Sequence, residues 1–117
     1  ESYKSLRGFV QRMKGDHRIS VFIAAEDDVF VDLARRFTAF EIDSFDEMAE
    51  AAVGEFLNLA DGLFTVNCSD EGIELDMRPQ EHVESISSLP LGRPDALLPL
   101  LLPKGILWAG LCIDPPR

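Results

Sequence analysis

The sequence predicts an α+β domain of two layers, a mostly antiparallel sheet with long helices packed on it. Three observations carry this. Alternating apolar runs at both ends of the 117 residues read as hairpins, and two stretches between them repeat their apolar residues every three and four positions. The strands are grouped at the ends rather than interleaved with helices, which disfavours a doubly wound parallel sheet. With 46% hydrophobic residues the chain can build one core, so residues 1–117 read as a single domain.

In chain order, "SLRGFVQRM" (5–13) and "RISVFIAA" (18–25) flank "KGDH", a turn sequence, and Ile19, Val21 and Ile23 share one face. "AEDD" then supplies acids suited to a helix N-terminus, and Val29, Phe30, Leu33, Ala34 and Phe37 define a helix from about 27 to 38. Ser44 with Glu47 forms a capping-box pattern ahead of a second helix. On that helix Met48, Ala52, Phe56, Leu59 and Leu63 fall within a sector of about 80°, an expected core stripe. The run closes near Gly62 or continues toward Asn67 before "SDEG" (69–72) turns the chain. "GIELDM" alternates as a half-buried strand, and residues 80–93 are loop-like, with "HVESIS" able to pair briefly. The last hairpin, about 95–102 and 106–113 around "PKG", is apolar on both faces and suggests central strands covered on both sides, although Pro99 argues against a regular central position.

Composition excludes several functions. The formal net charge is −10, and residues 41–76 hold eleven Asp or Glu with no Lys or Arg, which repels phosphate backbones and makes nucleic acid a poor partner. Cys68 and Cys112 are too few and too far apart for a disulfide framework or metal knuckle, and reduced thiols fit a cytoplasmic setting. "ALLPLLLPKGILWAGLCI" (96–113) is broken by Pro99, Pro103, Lys104 and Gly105, so no membrane span is expected. Starting on Glu1 rather than Met, the sequence is what a domain excised from a longer chain or a trimmed one would present.

Catalytic candidates are scarce. There is no nucleophile elbow, phosphate-cradling glycine loop, H-E-x-x-H or paired-cysteine motif. His17 and His82 sit in polar turns or loops, Asp70 and Glu71 lack calcium-loop spacing, Trp108 and Cys112 read as core, and nothing basic flanks Cys68 to stabilise a thiolate. What remains is Glu55 and Asn58 in "GEFLN" (54–58). Glu47, Ala51, Glu55 and Asn58 occupy one sector at the border of the expected core stripe, and Glu55 and Asn58 lie about 4.5 Å apart along the axis. The bland reading is a polar pair on a solvated border. Against it stands Asn58, a residue type disfavoured inside helices because its amide competes for backbone bonds.

Here the sequence resembles the CheC/CheX chemotaxis phosphatases, and the CheX-like branch most closely. The likeness rests on "EAAVGEFLNLADGLF" (50–64), the acidic-to-glycine turn, and "GIELDMRP" (72–79), together with the order of the leading hairpin, first helix and final hairpin. The family pattern has Asp or Ser four residues before the Glu and a proline about two dozen after it. Glu55, Asn58 and Pro79 match, with one residue fewer in the gap, whereas Ala51 departs.

The resemblance implies a CheC/CheX-like fold and dephosphorylation of the phosphoaspartate of a response-regulator receiver such as CheY, in bacterial chemotaxis or two-component signalling. Asn58 would orient a hydrolytic water, being neutral enough to enter an anionic site. Glu55 would pair with the receiver's lysine and set the register of docking, with Glu47 and Ala51 on the partner-binding face. No cofactor or metal of the chain's own is implied, while magnesium belongs to the receiver. A homodimer through sheet edges is compatible with the resemblance. The alternative is a non-catalytic adaptor docking a receiver or flagellar-switch partner, which Ala51 favours.

Overall fold

The structure, a computed structural model, describes residues 2–114. The leading hairpin forms as expected: β1 (Arg7–Gly15) pairs antiparallel with β2 (Ile19–Ala25), from Arg7 opposite Ala25 to Met13 opposite Ile19. Helix α1 (Asp27–Thr38) matches its expected bounds. Asp27 and Asp28 meet its positive end and Arg35 and Arg36 its negative end, and Ala39 in the left-handed conformation closes it with an N–H to the Arg35 carbonyl.

Helix α2 runs from Glu47 to Asp70, well past Gly62. Its cap is Asp46 rather than Ser44: the Asp46 carboxylate accepts from the Ala49 N–H at 2.9 Å. Gly72, at φ 86°, turns the chain into β3 (Leu75–Met77), and β4 (Glu81–Val83) realises the brief pairing in "HVESIS". The last hairpin is β5 (Ala96–Leu102) with β6 (Gly105–Ile113).

All strand pairings are antiparallel, in the order β3-β1-β2-β6-β5, with β4 sharing the β3 side of β1. Because side chains alternate across a sheet, Phe9, Ile23 and Leu107 face the helices and pack with Val29, Phe30, Ala34, Val53 and Leu57. Val10, Phe22, Ala24 and Cys112 face the other way, where Tyr3, Ile86, Leu89 and Trp108 cover them. These covering residues come from a 3₁₀ turn at Ser2–Ser5, the segment after β4, and β6.

Two expectations about this core are corrected. On α2, Ala52 is buried and Phe56 half-buried, but Met48, Leu59 and Leu63 are 49%, 52% and 69% exposed, while Ala49, Val53 and Leu57 point inward. The buried face lies about 120° round from the expected stripe, because α2 carries apolar residues on both sides and its small residues sit closest to the sheet. The final hairpin is not central throughout. β6 is interior, whereas β5 is an edge strand whose Leu98, Leu100 and Leu101 are exposed, and Pro99, lacking an N–H, suits that edge.

Candidate functional site

Rotating α2 to its true phase puts Glu55 at the centre of the outward face. Met48, Ala51, Leu59 and Val66 lie within about 40° of it, and all are exposed. Glu47 is exposed in the first turn. Among the described residues no hydrogen bond or ion pair reaches the Glu55 carboxylate, and Ala51, one turn back, offers it no polar group. A single acid therefore stands in a largely apolar exposed field.

Asn58 is half-buried at the margin of this face, where α2 meets β1. Its Oδ1 accepts from Gln11 Nε2 at 2.9 Å, and the same nitrogen donates to the Arg78 main-chain carbonyl at 2.8 Å. Gln11 belongs to β1 and shares its helix-facing side with Phe9 and Met13; it is 1% exposed, in a position where alternation calls for an apolar residue. Its Oε1 has no partner.

The Arg78 carbonyl is available because the sheet edge is broken there. Three steps along β1 from Val10 to Met13 face four steps from Met77 to Glu81, which is a one-residue bulge. Arg78 donates its N–H to the Arg12 carbonyl, Pro79 has no N–H to continue the ladder, and Gln80 turns its side chain against α2 at Gly54. A Cβ on Gly54 would meet the Gln80 amide, so glycine leaves room for that side chain against the helix. Asn58 and the Arg78 carbonyl that precedes Pro79 thus meet at one junction through Gln11, while Glu55 stands on the outward face.

One turn beyond Asn58, Asp61 is 4% exposed and its Oδ2 lacks a partner, as does Gln80 Oε1. Burial lifts the Asp61 carboxyl from 3.8 to about 7. Sequence reasoning missed Gln11, Gln80 and Asp61. Only Gln11 leaves a local signal, a polar residue at an inward position between Phe9 and Met13.

The other candidates lie elsewhere. His82 packs between the rings of Phe9 and Phe45, accepts from Arg7 at 2.9 Å, and faces Glu50 at 3.5 Å. Arg7 in turn stacks over Phe45 and pairs with Asp27, so this group ties β1 and β4 to both helices. His17 is exposed in the β1–β2 turn, Cys112 is buried, and Cys68 is half-buried near the end of α2. Among the described residues no three His, Cys, Asp or Glu side chains are grouped to hold a metal, and no helix is long and apolar enough to cross a membrane.

An antiparallel sheet backed by two helices is a fold that solved structures also display. A CheC-like superfamily protein from Shewanella sp. PV-4 superposes with a TM-score of 0.80 at 22% identity, over 96% of this chain and 75% of that one. Chemotaxis protein CheX from Vibrio vulnificus gives 0.82 at 16% identity over 97% and 78%. CheX from Borrelia burgdorferi, solved as a complex with CheY, BeF3 and magnesium, gives 0.79 at 20% identity over 98% and 79%. No curated protein sequence matches. The family profile for the chemotaxis phosphatase CheX matches residues 8–85, and the chain belongs to that family.

Proposed function

We propose that the protein dephosphorylates the phosphoaspartate of a CheY-like receiver, using the outward face of α2 as its docking surface. The observation that carries this reading is the position of Glu55 in the middle of an exposed apolar helix face, with the Asn58 amide one turn away at its rim. That face can bury Leu59, Leu63 and Val66 against a partner while Glu55 pairs with the receiver's lysine, and the Borrelia burgdorferi relative was captured with CheY. Glu47 and Ala51 flank the contact.

In the reaction a water oxygen attacks phosphorus, the bond to the receiver's aspartyl oxygen breaks with its electron pair returning to that carboxylate, and the phosphoryl group leaves as inorganic phosphate with the protons of the water. Magnesium on the receiver neutralises the phosphoryl oxygens, so the helper's task is to orient the water. Asn58 does so without adding negative charge to the site. The decay of a phosphorylated receiver tests the roles: Asn58→Ala should lose the acceleration, on the order of 10²-fold, and keep binding, whereas Glu55→Lys should weaken binding. Equal loss of binding in both variants contradicts the assignment.

The adaptor reading retains one supporting observation, Ala51 beside an unpartnered Glu55. Binding of a receiver without any acceleration of its decay would establish it. We also propose a homodimer through β5 in a bacterial cytoplasmic setting, since this seven-residue edge exposes leucines on both faces.

A further inference from the structure

We infer that Gln11 is a positioning residue that fixes which end of the Asn58 amide faces the partner. Amide oxygen and nitrogen are told apart by their hydrogen-bond partners, and here one partner is unambiguous. The Arg78 carbonyl can only accept, so the Gln11 atom 2.8 Å from it is the nitrogen. That same nitrogen lies 2.9 Å from Asn58, so the Asn58 atom it meets must accept and is Oδ1. Both Gln11 hydrogens are thereby spent. Asn58 Nδ2, with its two hydrogens, is the end left for whatever docks on α2.

The main-chain bulge thus sets the polarity and Gln11 transmits it. Rotating the Gln11 amide by half a turn would oppose its oxygen to the Arg78 carbonyl and leave that carbonyl without its donor. Pro79 contributes by ending the ladder next to the carbonyl that Gln11 reads. Gln80 against Gly54 seats the bulge on α2 one turn before Asn58. This role rests on the phosphatase reading for its effect on rate, but not for its effect on the amide.

Two variants separate these. Gln11→Met keeps the volume and removes the polarity. Gln11→Glu keeps the shape, supplies only acceptors when ionised, and invites Nδ2 inward, inverting the Asn58 amide. In the full chain labelled with ¹⁵N, the Asn58 side-chain NH2 pair is assigned by its loss in Asn58→Ala. In Gln11→Met the pair should converge toward free-amide positions, and in Gln11→Glu its exchange with water should slow. In the receiver-decay assay both variants should lower the maximal rate roughly ten- to a hundredfold with little change in half-saturating receiver concentration. Thermal melts identify a variant that has lost its fold, and the other then decides. An unmoved NH2 pair, or a maximal rate retained where the wild type is active, overturns the inference. If the wild type accelerates no receiver's decay, the phosphatase reading falls and the NH2 pair alone decides the positioning claim.

Discussion

The two sides of α2 carry similar amounts of apolar residue and put them to opposite uses. Inward, Ala49, Val53 and Leu57 are small or medium and fully buried against the sheet. Outward, Met48, Leu59, Leu63 and Val66 are about half exposed or more, around a single central acid. Burying an apolar side chain is worth about 1.5–3 kcal/mol, so a folded chain does not leave four of them on one face of a helix by default. The inner side packs the domain, and the outer side is the face that the proposed docking would use.

The contrast is broken most sharply by truncating one residue on each side. Leu57→Ala should cost about 2–4 kcal/mol in denaturant unfolding, whereas Leu59→Ala should stay within about 0.5 kcal/mol and weaken receiver binding instead. Equal stability losses would erase the distinction.

Asp61 sharpens the comparison on the inner side, where it is the charged exception. Its carboxyl titrates near 7 in the folded chain and near 3.8 unfolded, so the folded state holds the proton more tightly. Its contribution is fully present below pH 3.8 and is lost as pH rises through about 7. Asp61→Asn should therefore stabilise the domain at pH 8, on the order of 3 kcal/mol, and have little effect near pH 3. Unfolding midpoints across that range measure the effect; a benefit independent of pH would contradict it. The smallest effect concerns the other exposed apolar region. Leu101 on β5 is 84% exposed, and Leu101→Lys should leave stability within about 0.5 kcal/mol while shifting sedimentation toward the monomer. Retained receiver binding in that variant would keep the two association surfaces distinct.

Much of the fold was legible because its signals are local. The leading hairpin, the bounds of α1 and the pairing of the final hairpin follow from alternation, three-and-four spacing and turn residues. The phase of α2 was not, since apolar residues surround it and periodicity favours the larger ones, whereas the sheet selects the small ones. For β5, a leucine-rich run reads as buried when its location depends on which strand β6 pairs with on its far side. At the candidate site, spacing placed Glu55 and Asn58 one turn apart on α2, and the roles proposed for them came from the family resemblance. The Gln11 clamp could not, because it joins three segments through a bulge visible only in the register of β1 with β3 and β4.

The most direct measurement is amide chemical-shift mapping of the ¹⁵N-labelled protein with a magnesium-loaded, beryllofluoride-activated receiver. Perturbations concentrated at Ala51, Glu55, Asn58, Leu59 and Gly62 are expected, with β5 silent. Perturbations confined to β5 would contradict a docking role for α2.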